Sequence, residues 1–205
     1  MKIAVIGTGN VGGTLANIWA NSGHQIHLGV RDIHNFKNQD LKNNPNIKVH
    51  SILDAVKLSD VVVISTPAPS TIDVTQALGD TSGKIIIDTM NIVMGRGPAG
   101  FSNTSDAILA NTQATDIVKC FNTTGANNMK NTVYGDSALD LFMAGNSEKA
   151  KQIARQLALD AGFAACYDIG GNDKFELMEQ FAWFWINLAM FQGEGREIGF
   201  KLLKR

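Results

Sequence analysis

Along most of the chain, short runs of consecutive apolar residues alternate with stretches whose apolar positions recur at helical spacing. Met1–Ile6, Gln25–Val30, Ile47–His50, Asp60–Ser65, Lys84–Asp88 and Asp116–Phe121 read as strands. The run Val61-Val62-Val63-Ile64 is apolar on successive positions, as a parallel strand covered on both faces requires. The intervening segments read as helices over 10–22, 51–58, 70–78 and 105–111. Leu15, Ile18 and Trp19 share a face of the first, and Gly23 stops it. Ser51, with Asp54 three residues on, predicts a helix cap. Residues 33–46 are polar and asparagine-rich, a short helix and loop. Residues 89–103 form a long irregular segment of the kind that lines sites. This order predicts an α/β fold: a doubly wound, mainly parallel Rossmann sheet.

The pattern continues with Leu139–Ala144, Ser147–Asp160 and Phe163–Tyr167, a strand-helix-strand extension of the same sheet. Asp173–Gln192 is an aromatic-rich helix, and the glycine-punctuated end, 193–203, is expected to be helical only in part. No linker or repeat divides the chain. Residues 1–205 therefore predict one Rossmann domain with a C-terminal helical extension over about 173–205.

Three places carry candidate chemistry. Gly7-Thr8-Gly9-Asn10-Val11-Gly12 has the G-x-G-x-x-G spacing between the first strand and the first helix. Gly7 would permit the turn, Gly9 the approach of a pyrophosphate and Gly12 close helix–strand packing. The helix N-terminus would then face the phosphates. Arg31-Asp32 follows the second strand, where the adenosine ribose is read. An acid there suits NAD and an arginine suits NADP. Arg31 comes first after the strand, and its planar fork matches a phosphate that Asp32 would repel, which favours NADP. Thr66-Pro67 ends the fourth strand, where a stiff turn could lie against the nicotinamide.

Composition narrows the function classes. The formal net charge is −1, which gives no electrostatic case for nucleic acid or an anionic membrane surface. Glu176, Glu179, Gln180 and Asn187 interrupt the aromatic helix, so it does not read as membrane-spanning. An apolar surface of that size points instead to internal core or to a homodimer interface. His24 and His27 fall around a strand and on opposite faces, and His34 and His50 have no ligand-spaced neighbours, so no metal site is expected. Two cysteines outside any C-x-x-C pair, and a first strand that begins at Met1, point to a cytoplasmic location.

Three places together resemble the family of NADP oxidoreductases dependent on the deazaflavin coenzyme F420: Ile6 to Gly12, Leu28-Gly29-Val30-Arg31, and the tail Asn187 to Gly193 with Gly195, Gly199 and Lys201-Leu202. The resemblance implies a cytoplasmic, usually dimeric Rossmann protein that stacks a flavin-like ring on the nicotinamide of NADP. It implies Thr8 to Val11 at the pyrophosphate, Arg31 at the 2′-phosphate, Thr66 and Pro67 beside the nicotinamide and Ala126 near its carboxamide. Two positions depart from the family. Val30 stands where a hydroxyl residue helps hold the 2′-phosphate, and Asn122 where deazaflavin-using members carry a histidine.

Hydride transfer between two stacked rings needs no side-chain acid or base, so no catalytic residue is assigned. The expected activity is an NADPH-dependent oxidoreductase with a flavin-like or deazaflavin acceptor. The alternative is a module that binds or senses NADP without turning it over. A dehydrogenase of small alcohols or imines would need a proton donor such as Lys119 or Tyr134 beside the nicotinamide.

Overall fold

The apolar runs assemble into one eight-stranded sheet in a computed structural model that describes residues 1–205. In chain order its strands are β1 (Lys2–Ile6), β2 (Gln25–Val30), β3 (Ile47–Ser51), β4 (Val61–Ile64), β5 (Ile85–Asp88), β6 (Asp116–Cys120), β9 (Asp140–Ala144) and β10 (Ala165–Asp168). A separate two-residue hairpin, β7 (Val133–Tyr134) and β8 (Ser137–Ala138), precedes β9. The spatial order is β10-β9-β6-β5-β4-β1-β2-β3. Every neighbouring pair in the sheet is parallel except β6 with β9. The chain reverses its winding on either side of β1 and β4. In open sheets of this type, ligands bind outside the carboxyl ends of the strands at that switch point.

The period of two along each strand divides the core. Ile3, Val5, Leu28, Val61 and Val63 pack on one face with α1 (Asn10–Asn21) and α6 (Glu148–Asp160). Ala4, Ile6, Val62, Ile64 and Ile86 pack on the other with α2 (Ile52–Lys57), α3 (Thr71–Ala77), α4 (Thr104–Asn111) and α7 (Phe175–Ile186). Trp19 is fully buried and joins two helices: its indole N–H donates to the Leu157 carbonyl at 2.9 Å. Ser51, Asn103 and Ser147 cap α2, α4 and α6 through side-chain oxygens. Each such cap contributes about 1 kcal/mol.

Helix α7 reconciles its all-round apolar sequence by exposing part of it. Phe175, Met178, Ala182 and Trp185 are buried at helical spacing, while Leu177, Trp183 and Phe184 are exposed. A π-helical turn, Asn187–Phe191, follows, with Met190 and Phe191 on the surface. Beyond it the chain departs from expectation, because no helix forms after Phe191. The final segment is instead an extended strap held by side chains of other elements. Asn127 and Asn128, on α5 (Ala126–Lys130), donate to the Arg196 and Ile198 carbonyls at 2.9 and 2.7 Å. Trp185 Nε1 also reaches Ile198 O at 2.7 Å. Asp140 fixes the far end through its backbone N–H to Phe200 O and its carboxylate to Leu202 N.

Two pairings were not visible in the spacing. Diagonal placement across β2 and β3 brings His27 Nδ1 within 3.0 Å of His50 Nε2. Burial, then the charges of His50, Lys48 and Lys2, lower the His27 pKa. No group of three His, Cys, Asp or Glu side chains is placed to hold a metal ion. Cys120 and Cys166 are free thiols whose sulfurs lie 3.6 Å apart. Burial, then the neighbouring Cys166, raises the Cys120 pKa well above the ordinary thiol value.

Candidate functional site

The glycine turn after β1 has the three geometries its spacing predicts. Gly7 sits at φ +101°, and a Cβ there would lie 2.3 Å from the Ser65 carbonyl oxygen. A Cβ on Gly12 would lie 2.0 Å from Gly7 O. Both positions are closed to larger residues by backbone atoms. Gly9 differs, since a Cβ there meets nothing within 4 Å. The turn is therefore tight on the protein side and open at Gly9. Helix α1 begins at Gly9 without a side-chain cap or an acidic residue in its first turn. Its leading N–H groups and dipole thus suit an anion, and the residues present fit a pyrophosphate.

At the end of β2, Val30 is buried and Arg31 is exposed. Asp32 turns back on its own loop and accepts from the backbone N–H groups of His34 and Asn35 at 2.8 and 3.2 Å. It leaves Arg31 outside every ion pair of the molecule. The loop then folds over the glycine turn, where Asn38 Nδ2 donates to Thr8 O at 2.8 Å and reaches Gly9 O at 3.3 Å.

On the other side of the switch point, Thr66 Oγ1 donates to Met90 Sδ at 3.3 Å. Pro67 is exposed immediately before a 3-10 turn, Ala68–Ser70. At the end of β6, Phe121 adopts φ +60°, an unusual conformation for an aromatic residue. Its ring is fully buried and packs edge-on against Trp19, with centroids 5.4 Å apart. The bend directs the chain into Asn122. There Asn122 Nδ2 donates to Asn91 Oδ1 at 2.8 Å and to Met178 O at 3.1 Å, and Asn91 Nδ2 returns a bond to Asn122 O. The Asn122 amide therefore ties the ends of β5 and β6 to α7.

Beneath this rim lies a buried cluster of charge. Lys119 Nζ is within 2.8–2.9 Å of Asp88 Oδ2, the Met90 carbonyl, Thr104 Oγ1 and Glu179 Oε1. Lys119 and Asp88 are fully buried, and Glu179 is 6% exposed. Glu179 also accepts from the backbone N–H groups of Ile92 and Thr104, at 2.7 and 2.9 Å. Lys119 is therefore a structural cation with its donors committed. Tyr134 is committed as well: its hydroxyl donates to Asn128 Oδ1 at 2.8 Å, and burial together with Glu197 raises its pKa. Neither is a free proton donor at the crevice.

A polar cavity of about 320 Å³ opens beside the start of α1. Asn10 and Thr14 line it from the helix, and Ala126, Asn127 and Lys130 face them from α5. Asn38 and the strap residue Arg196 complete the wall. Of these, sequence reasoning anticipated Asn10 and Ala126. Thr14 lies on the predicted first helix, and the other four come from a one-turn helix, a loop and a coil, whose positions no hydrophobic period encodes.

The sequence profile of the family described as NADP oxidoreductase, coenzyme F420-dependent, matches residues 2–92. The match covers less than half of the chain. The matched segment runs from β1 past the Thr66-Pro67 turn to Ile92, and so holds the glycine turn and Arg31. Among solved structures, the chain is similar to a protein of Arthrobacter sp. FB24 provisionally named an F420-dependent NADP reductase. The two are 26% identical with a TM-score of 0.83, and each is covered over 100% of its length. A hypothetical protein of Sinorhizobium meliloti is 22% identical with a TM-score of 0.71, covering 100% of this chain and 96% of that one. A reductive aminase of Aspergillus terreus, solved with NADPH and ethyl levulinate, has the same fold at 15% identity and a TM-score of 0.67. That match covers 94% of this chain and only 62% of the aminase. The fold shared with the Arthrobacter protein thus spans the full sheet, including β9 and β10.

Proposed function

We propose that the chain is an NADPH-dependent oxidoreductase that exchanges hydride between the nicotinamide and a flavin-like or deazaflavin acceptor. The observation that carries this reading is the exposed, unpaired Arg31 beside an uncapped glycine turn, with Asp32 withdrawn into its own loop. Gly7, Thr8, Gly9, Asn10, Val11 and Gly12 cradle the pyrophosphate in this reading. Arg31 takes the 2′-phosphate, and Thr66, Pro67 and Ala126 border the nicotinamide. When bound, the reduced cofactor supplies a hydride. The protein's part is to hold two rings in register and exclude water, which agrees with the commitment of Lys119 and Tyr134 to internal bonds.

Arg31→Ala is expected to weaken NADPH binding by roughly 10- to 100-fold, the worth of one charge-assisted phosphate contact, and to leave NADH binding unchanged. Calorimetric titration with both cofactors reads this out. Equal losses for both would overturn the assignment. Turnover is tested by following loss of the reduced nicotinamide absorbance with a panel of flavins and a deazaflavin. A flat trace with tight NADPH binding would instead establish a non-catalytic NADP module. That second reading draws on Asn122, whose amide N–H groups are both spent within the fold where a histidine lines the acceptor pocket of deazaflavin users.

The same proposal places the protein in the cytoplasm as a homodimer, acting on a small molecule rather than on nucleic acid. No helix is long and apolar enough to cross a membrane. Trp183, Phe184, Met190 and Phe191 are exposed together, near an apolar groove of about 450 Å³ lined by Phe142, Ile169, Leu177 and Phe181. A second copy covering this face would remove an unusually large apolar patch from water. Sedimentation velocity should show a dimer that Phe184→Asp with Phe191→Asp converts to a folded monomer. A monomeric wild-type protein would refute the dimer.

A further inference from the structure

We propose that Lys130 and Arg196 form a second phosphate-binding wall opposite the glycine turn, with Arg196 delivered by the C-terminal strap. The inference rests on the reading that a nicotinamide dinucleotide lies on that turn. The cavity beside α1 carries two cations and no carboxylate, and six of its seven lining residues are polar or charged. Neither cation takes part in any ion pair of the molecule. Both line the cavity together with Asn10, in the first turn of the uncapped helix. Two unpaired cations beside a helix N-terminus favour anions from both sides of one cavity.

The placement of Arg196 is specified by other residues. Asn127 Nδ2 holds its carbonyl, and the guanidinium lies 6.0 Å from the Trp185 ring centroid. Trp185 in turn holds Ile198, two residues further along the strap. The ligand chemistry that two unpaired cations beside an uncapped helix start select is a phosphate. A sugar phosphate supplies it, whether as the pyrophosphate-ribose of the dinucleotide or the ribityl phosphate of a flavin acceptor.

The test compares wild type with Lys130→Gln, Arg196→Gln and the double variant, which keep the side-chain stems and remove charge at exposed positions. Calorimetry is run with NADPH, with adenosine 2′-monophosphate, which lacks the pyrophosphate, and with flavin mononucleotide against riboflavin. A tenfold or greater loss of NADPH affinity in the double variant, with adenosine 2′-monophosphate unchanged, supports the wall and names the dinucleotide as its ligand. A comparable loss confined to flavin mononucleotide supports the wall and names the acceptor. Binding of both ligands at wild-type affinity by the double variant overturns the proposal. Wild-type protein that binds no NADPH overturns the dinucleotide reading separately, and the wall then stands or falls on flavin mononucleotide against riboflavin. Unchanged urea midpoints show that the variants remain folded.

Discussion

Gly9→Ala and Gly12→Ala are expected to fail in different ways, although the two residues belong to one six-residue motif. A methyl group on Gly12 meets the Gly7 carbonyl oxygen at 2.0 Å, and that oxygen belongs to the backbone of the turn. No rotamer change relieves that contact, so helix α1 must move away from β1. The expected cost is about 3 kcal/mol or more, the upper part of the range for overpacking. For a protein of this size that lowers the melting temperature by roughly 2–4 °C per kcal/mol. Gly9→Ala adds a methyl where nothing lies within 4 Å. Its melting temperature should stay near wild type, while NADPH binding falls by about two orders of magnitude or vanishes, because the methyl occupies the space a pyrophosphate must approach. Paired thermal melts and NADPH titrations measure both effects. Gly9→Ala binding NADPH normally would mean that the cofactor does not lie on this turn.

The second large effect concerns Lys119. Its replacement by Met leaves Asp88 and Glu179 buried without their shared cation. Breaking a buried ion pair from one side costs about 3–5 kcal/mol. Urea unfolding of Lys119→Met should show that loss as a lower midpoint. Adding Glu179→Gln should then recover part of it, because a neutral amide beside Asp88 removes one of the two uncompensated charges. Strict additivity of the two single losses would show that the groups are not coupled. The variant should also weaken ligand binding. Glu179 holds the Ile92 N–H, and the neighbouring Asn91 and Asn122 join the ends of β5 and β6, so disorder in the cluster reaches the rim of the crevice.

The frame of the molecule was legible because it depends on local signals. Val61 to Ile64 could only be a doubly covered strand, and the glycine spacing defines a strand-turn-helix unit whose atoms meet as anticipated. Ser51 announced its helix through Asp54. What escaped was set by tertiary path. Helix α5 spans five residues, too few for a hydrophobic period to register. The strap has no period at all; its course follows from bonds made by Asn127, Asn128 and Trp185, and the partial helix expected over 193–203 does not form. Lys119 offered a partial signal, a charge within a buried run beside a strand that ends in Asp88. That pairing was readable in principle. Glu179, on the distant aromatic helix, was not, and without it Lys119 resembled a free proton donor. Arg31 was readable as a position, but its freedom from Asp32 required the loop geometry.

The antiparallel joint between β6 and β9 has a consequence for the order in which the protein is made. Reversing the direction of β9 puts its first residue, Asp140, at the crevice end of the sheet, where it anchors residues 200–202. Those residues are translated after every strand of the sheet. Domains begin to form from the N-terminus during synthesis, so a nascent chain can complete the glycine turn, the switch point and α5 while the strap is still being translated. The side of the crevice beside α5 therefore stays open until the strap settles on Asn127 and Asn128.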